Sequence, residues 1–577
     1  MKGIHCKFLF PYSLGAFFLI SCVVAGQEVL APSPIVSTVK FNWQVVVNNG
    51  VLVPSDSRNF NSYNEPSINI NQLVVFRARS KGGSGGEPAH GIFTRNMATG
   101  APLMTIFDRN TLVPQPNNVD ATFTEPPSFP RIDIRTDTVA SRGNHPPVWN
   151  YLLGDGISET RVGTTGIYTN PFGLLITGGS NLGAAPGFGF FAVPGTNVKF
   201  DVFPSAPAVT DGSTLVFKGN YSVADSSGKT ISKTGVYYRD LTNAPISLPG
   251  GTKLEPAGGT APVVVIADTE TLIPGTRTKF GSLAAPSAAG RWAAFAGFDN
   301  EDNPTKGGIY LAPLNGTRPR LRRLAEIGGP VQGEKRGTVF NKLGEGISFD
   351  GRFVAFWGAW GTQTKTLVLQ CPTEGNKIRN AYCLEQYPGG FQTIVPVNQG
   401  IFVYDTVTEK TTVVTKSPTS FDDFVFWKFS GYVEGMGESE DTSEPARWRS
   451  SSFAAVSGLA DGNLDDGTFH IAFKARTGQV VNGAYTNPVD GIYLYAGPGS
   501  GPTATVVTTG TKGTLIDPEA VVVNKETGGS VVPFITGLGI ERDSFRGRSL
   551  VINVAMGSED AGWAGIYMTT VPDELMK

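Results

Sequence analysis

A three-residue signature, glycine followed by isoleucine or valine and then an aromatic residue, recurs along the 577-residue chain. It stands at Gly91-Ile92-Phe93, Gly166-Ile167-Tyr168, Gly235-Val236-Tyr237, Gly308-Ile309-Tyr310, Gly400-Ile401-Phe402, Gly491-Ile492-Tyr493 and Gly565-Ile566-Tyr567. The intervals are 75, 69, 73, 92, 91 and 74 residues. One copy is trivial; seven in a common frame restrict the chain to a repeat architecture.

Each copy sits in a longer unit. Upstream lies a strand-like run ending in an aromatic residue, as in LVVF to Phe76, TLVF to Phe217, GRWAAF to Phe295, GRFVAF to Phe356 and FHIAF to Phe473. In the second unit PPVW to Trp149 fills this place; in the seventh, SLVINV has lost the aromatic. Downstream comes a third run, and MTIFDRNTLVPQ (104–115) aligns with VVIADTETLIPG (264–275). A fourth precedes the aromatic strand, as in NEPSINI (64–70), TEPPSFP (124–130) and AAPSAAG (284–290). Four short strands with an apolar side cannot bury that side alone, whereas seven such units packed radially bury one another as a β-propeller. Only ten residues follow the last signature, and residues 45–67 align with 104–128, so the N-terminus is expected to supply the outer strand of the seventh blade. The reading is all-β: a single seven-bladed propeller over 38–572, with four-stranded blades, a linker at 27–37 and a tail at 573–577.

The strands Gly290-Arg-Trp-Ala-Ala-Phe295 and Gly351-Arg-Phe-Val-Ala-Phe356, each followed by a Gly-Ile-aromatic strand, resemble secreted propeller repeats of the broad TolB/WD40-like type. The resemblance covers nearly the whole chain after residue 37 and implies the fold. It implies no activity, because propellers host binding modules, hydrolases, lyases and scaffolds alike.

Composition agrees. Gly (72) and Pro (40) together are well above the usual ~12% and mark many turns. With 47 basic and 49 acidic residues, nothing suggests a nucleic-acid partner. Residues 1–26 read as a secretory signal peptide, with Lys2 and Lys7 before an apolar stretch and small residues at Val24 and Gly26. No transmembrane segment follows. The alternative is a lipoprotein anchored through Cys22, since Leu19-Ile20-Ser21-Cys22 fits a lipobox. Cys371 and Cys383, twelve apart in an insertion of the fifth unit, are expected to form a disulfide in an oxidising compartment. Asn220 and Asn315 are glycosylation acceptors in a eukaryotic host.

The tight turns join the first and second strands of each unit, so the long, variable connections share the other face, and function is expected there. Glu65, Glu125, Glu345 and Glu444 occupy one repeat position and read as a partial acidic ring at the channel mouth, with Arg77, Lys218 and Lys474 just after the aromatic strand. The bland reading of these charges is pairing within blades, Glu65 with Arg77 and Glu444 with Lys474. Arg447-Trp448-Arg449 offers an aromatic flanked by cations, suited to stacking a sugar. Trp357 and Trp360 suit a sugar site or inter-blade packing. Arg142, His145 and Tyr151 in the irregular second unit are the residue types that proton abstraction beside a neutralised carboxylate needs. His90 is a further candidate, and His470 reads as structural. Calcium is the cofactor that the acidic loops Asp461-Gly-Asn463-Leu-Asp465 and Asp299-Asn300-Glu301-Asp302-Asn303 suit, although neither has a recognised geometry and each also reads as a solvated turn. No G-x-S-x-G, H-E-x-x-H, P-loop or dinucleotide motif occurs. The functional expectation is a secreted extracellular module that binds a glycan or a protein partner on its long-loop face. The alternatives are a carbohydrate-active enzyme (a polysaccharide lyase or glycoside hydrolase with its site at the channel mouth) and a structural cell-surface or matrix protein.

Overall fold

The computed structural model describes residues 39–575 apart from position 55 and the segments 83–85, 115–119, 147–148, 153–158, 163–164, 171–182, 185–191, 242–245, 248–252, 255–260, 374–375, 432, 434–444, 459–466, 498–503, 525–527 and 558–561. The signal-peptide, linker and Cys22 expectations therefore lie outside the described residues. Seven antiparallel sheets form the blades of a propeller. In blade 1 the strands run A (Phe60–Tyr63 and Ser67–Ile68), B (Leu73–Ser80), C (His90–Asn96) and D (Met104–Asp108) from the channel outward. In blade 7 the A, B and C strands come from the C-terminal end and D is Trp43–Asn48, which pairs with Gly562–Thr570. The ring is thus closed by both ends of the chain, as the alignment of 45–67 predicts.

The glycine signature has a steric cause. Residues i and i+2 of a strand share a face, and in four blades the aromatic of strand C folds back over its own glycine, while at Gly91, Gly308 and Gly400 the strand D backbone crowds closest. A β-carbon at Gly235 would lie 2.4 Å from the Tyr237 hydroxyl, and at Gly166, Gly491 or Gly565 2.6 Å from that of Tyr168, Tyr493 or Tyr567. Strand B places a second glycine opposite in four blades: Gly143, Gly219, Gly297 and Gly358. Over these lie Phe123, Phe200, Phe280 and Phe340 from the start of strand A, with Phe200 2.5 Å from a β-carbon at Gly219. The two rings then meet edge to face, 4.8 Å apart for Phe123 and Tyr168, 5.0 Å for Phe200 and Tyr237, and 5.1 Å for Phe340 and Phe402. Such pairs add about 0.5–1.5 kcal/mol beyond burial. The aligned stretches 104–115 and 264–275 share one turn: Asp108 accepts from Asn110 N and Thr111 Oγ1, and Asp268 from Glu270 N and Thr271 Oγ1.

Blade 2 departs from expectation. Its strand B is Val139–Asn144, with Ser141 opposite Tyr168, so Trp149 does not end that strand. Trp149–Leu152 pairs instead with Glu159–Val162 as a separate ribbon. In this blade Ser141 fills the aromatic position of strand B.

Strand A is broken in most blades by a short excursion at mid-height: 65–66 in blade 1, 285–286 in blade 4, 345–347 in blade 5 and 540–543 in blade 7. In blade 6 the excursion has grown. The upper half of strand A bridges through Asp423 to Arg476, the lower half is Ala454–Ser457, and between them a hairpin of Phe426–Ser430 and Arg447–Ser451 projects at the channel.

Replacing Gly235 by Ala is expected to force the Tyr237 ring off its site and cost about 1–3 kcal/mol, whereas Gly389→Ala, with open space around it, should be near neutral. Thermal unfolding followed by near-ultraviolet circular dichroism compares the two.

Candidate functional site at the channel mouth

The channel is closed at its base. One strand-A position carries Ser67, Arg131, Ala208, Ser287, Ser348, Ala455 and Ser544 around the ring. The serines donate to backbone carbonyls of other blades, as Ser544 to Pro66 and Ser67 to Pro130. Arg131 instead reaches over the axis. It is 1% exposed, ion-paired with Asp543 of blade 7, and bonded to Pro286 O and Ser287 Oγ of blade 4, both at 3.1 Å. Asp543 also binds Arg546, and Arg542 holds Glu541 and Ala285 O. Burial pushes the Asp543 carboxyl up, but the guanidiniums of Arg131, Arg546 and Arg542 outweigh it and hold it below the usual carboxylate value. These residues carry no local motif; aligning Ile540-Glu541-Arg542-Asp543-Ser544 with Asn64-Glu65-Pro66-Ser67 is the signal that could have found them.

We call the part of the channel above this floor, where the strand-A breaks and the blade 6 hairpin stand, the cup. That the long connections share a face follows from register, since the end of strand D at Asp108 stands opposite Gly91 at the start of strand C. The expected acidic ring is only partly assembled. Glu125 pairs with Arg77 at 2.9 Å, across the seam between blades 2 and 1, so the pairing of Glu65 with Arg77 within blade 1 is corrected. Glu65 is half-buried and packs over Gly539 of blade 7. A β-carbon there would meet Glu65 Oε1 at 3.0 Å and Asn553 Oδ1 at 2.1 Å. Burial pushes the Glu65 carboxyl up. The charges that bear on it are Lys428, then Glu541, then Lys474, and among the described residues it forms no ion pair. Glu345 is exposed. Glu444 lies outside the described residues, which leaves its pairing with Lys474 outside them too. Glu541 occupies the same excursion in blade 7 and was not singled out from the sequence.

The blade 6 hairpin roofs part of the cup. Its residues alternate between two faces. One carries Phe426, Lys428, Arg447 and Arg449; the other carries Trp427, Phe429 and Trp448. Lys474 Nζ sits 4.1 Å from the centre of the Phe426 ring, and burial pushes its ammonium pKa down. Arg447 ion-pairs with Glu301 and lies 3.9 Å from Asp302, both in blade 4. Behind the hairpin, Trp448 stacks parallel on Phe391 at 6.2 Å and meets Phe429 edge-on at 5.4 Å. Cys371 and Cys383 form the expected disulfide, and with Tyr387 and the helix Lys377–Gln386 they complete this cluster. Trp448 is therefore occupied by protein, not presented to a sugar. Trp357 (Nε1 to Gln399 Oε1, 2.9 Å) and Trp360 are core residues as well.

Of the catalytic candidates, His145 is 4% exposed. Its Nδ1 lies 2.8 Å from Pro146 O, so Nδ1 carries the proton, and Nε2 accepts the Tyr168 hydroxyl at 2.6 Å. Burial pushes its pKa down to about 4. Arg142 is buried, with Nε 3.4 Å from Thr165 Oγ1. Tyr151 is in the ribbon strand Trp149–Leu152, and its side chain lies outside the described residues. His145 thus serves the signature tyrosine of its own blade, whereas the Tyr237 and Tyr310 hydroxyls have no such partner. His90 is half-buried and pushed down to about 4 by burial and then by Arg77, Arg109 and Arg79. His470 is buried in strand B of blade 6.

Lys218 is half-buried at the rim. Asp461, Asn463 and Asp465 lie outside the described residues. The other acidic loop is a self-bonded turn: Asp299 accepts from Thr305 N and Lys306 N at 2.9 and 3.0 Å, and its outer carboxylates face Arg447. Among the described residues no group of three His, Cys, Asp or Glu is placed to hold a metal ion. Asn220 is within strand B of blade 3 with its Oδ1 enclosed, while Asn315 stands in an exposed turn. No described helix is long and apolar enough to cross a membrane.

The sequence matches no protein-family model and no curated protein. Solved structures with a resemblance include the polysaccharide lyase Uly1, at 11% identity and a TM-score of 0.28, covering 53% of this chain and 56% of that one. A puromycin-hydrolysing peptidase of Mycobacterium tuberculosis follows at 10% and 0.19, covering 78% and 64%. The isopeptidase AtxE2 is at 9% and 0.22, covering 82% and 56%. The chain spans less than two thirds of each, and at these scores the likenesses carry nothing about activity.

Two outcomes are expected. Asp543→Asn strands Arg131 and Arg546 in the interior and should cost on the order of 3–5 kcal/mol, measured by chemical denaturation. His145 has a depressed folded pKa, so its contribution is complete above pH 6.5 and is lost as pH falls through about 4. That loss amounts to roughly 3 kcal/mol, and His145→Gln should flatten the pH dependence of stability across this window.

Proposed function

We propose that this protein is an extracellular binding module that takes a glycan in the cup on its long-loop face. The observations that support this reading are the floor formed by Arg131 and Asp543, the disulfide-backed hairpin above it, and the polar residues Glu65, Glu345 and Lys428 that the strand-A breaks and the hairpin place at this end of the channel. A hydroxyl-rich ligand supplies both donors and acceptors to such groups. The Cys371–Cys383 bond fits the oxidising compartment in which an extracellular protein matures. The enzymatic alternative draws no support from His145, whose two ring nitrogens are both engaged inside blade 2.

The purified protein, with and without calcium, is incubated with neutral and acidic polysaccharides, and polymer size is followed by chromatography. Co-elution of an intact polymer with the protein is expected. Shortened polymer would overturn the binding-only reading in favour of a lyase or hydrolase, and neither effect would remove the glycan altogether.

A further inference from the structure

We propose that Lys365 and Asp423 are the two ends of an amide cross-link that the folded chain forms by itself, joining blade 5 to blade 6. Lys365 lies in strand B of blade 5, Phe353–Leu369, which continues beyond Trp360 and pairs again with residues 391–396. Asp423 stands at the start of strand A of blade 6 and is 0% exposed. Lys365 Nζ is 3.5 Å from Asp423 Oδ2 and donates to the Asp422 carbonyl at 2.6 Å. The two blades are already joined here: Val368 N donates to Gly483 O at 2.8 Å, and a β-carbon at Gly483 would lie 2.6 Å from Val368 Cγ2. Around the carboxylate, different groups serve its two oxygens. Oδ1 accepts from Gln399 Nε2 at 2.8 Å and from Val425 N at 3.0 Å. The Gln399 amide is oriented by Trp357, whose Nε1 donates to Oε1 at 2.9 Å. Oδ2 faces the ammonium and accepts the Tyr485 hydroxyl at 2.5 Å. Burial, and then Asp423, pushes the Tyr485 phenol up, so it stays a donor. Of the other charges at this place, Arg476 is bonded to Asp490 at 2.6 and 3.0 Å, and the Asp422 carboxylate accepts from Gly478 N at 2.8 Å.

This arrangement serves a condensation. One ammonium proton of Lys365 passes to Oδ2, the freed Nζ lone pair attacks Cγ, and the charge that gathers on Oδ1 meets two N–H donors already in place. A second proton from the nitrogen goes to Oδ2 as the Cγ–Oδ2 bond breaks, and one water leaves. The product is an Nζ–Cγ amide with Oδ1 as its carbonyl oxygen, and no other reactant is consumed. Holding an amine and a carboxyl side by side in a fixed site supplies effective molarities of ~10⁵–10⁸ M. The enclosure of Asp423 keeps away the water that would reverse the step. Left ionic, two charges drawn out of solvent add little net stability, whereas the amide removes both.

Mass spectrometry of the reduced, denatured protein tests the cross-link. The wild-type chain is expected to be one water lighter than its sequence, and its tryptic digest to contain a branched peptide that joins the segments around Lys365 and Asp423. Lys365→Arg and Asp423→Ala should each restore the water and remove the branched peptide. Lys365 and Asp423 found in separate linear peptides of the wild type overturn the proposal, as does a missing water that persists in Lys365→Arg. The digest of the wild-type chain gives the answer even where a variant fails to fold.

Discussion

The ring is organised around an ionic contact at its axis. Seven wedge-shaped sheets packed by their apolar faces leave a hole where their inner strands meet, and small residues cannot fill it. At the one strand-A position where the other blades carry serine or alanine, blade 2 carries Arg131, and its side chain crosses to Asp543 in blade 7 and to blade 4. Asp543 and Arg546 complete a cluster that solvent does not reach. A buried ion pair is weak as a source of net stability but demanding in geometry. Its effect here is to fix how blades 2, 4 and 7 stand relative to one another, which apolar faces alone leave open to sliding. It also gives the channel a floor below the breaks in strand A.

What stands above the floor comes from one local device. A break in strand A lets a few residues leave the ladder at mid-height and line the channel. In blades 1, 5 and 7 this places Glu65, Glu345 and Glu541; in blade 6 the same break has become a hairpin. The two faces of the hairpin are used differently. Trp448 and Phe429 lock one face against the disulfide-tied insertion of blade 5. The other holds its cations toward blades 1 and 4.

The fold was legible because its cause is steric and repeated. In every blade a ring of its own strand or the backbone of strand D leaves no room for a β-carbon at this glycine, so seven copies announce themselves. Ring closure was legible for the same reason, through the shared turn at Asp108 and Asp268. The site was less so. Which carboxylate Arg77 takes depends on the approach of the next blade, and Glu125 wins over Glu65 across a seam that no intra-blade alignment contains. Trp448 looks exposed in sequence because the surface that covers it, Phe391, arrives from another blade. Arg131 and Asp543 were missed because a substitution at one repeat position matters only once the axis is known to be empty. Blade 2 was misread where its aromatic strand position is filled by Ser141.

The outer strand that completes blade 7, Trp43–Asn48, is made long before its partner strand Gly562–Thr570. Asn48 bonds Asp517, 469 residues away, and Asp517 also receives Trp563 and Tyr567. Until Gly562–Thr570 has been made, Trp43–Asn48 therefore has no ladder to join, and blade 7 has an open edge. Contacts of such separation form slowly, and unpaired edges invite association with other chains. The ring can close only as a late event, after Gly562–Thr570 has emerged. From then on neither terminus can leave without opening the circle.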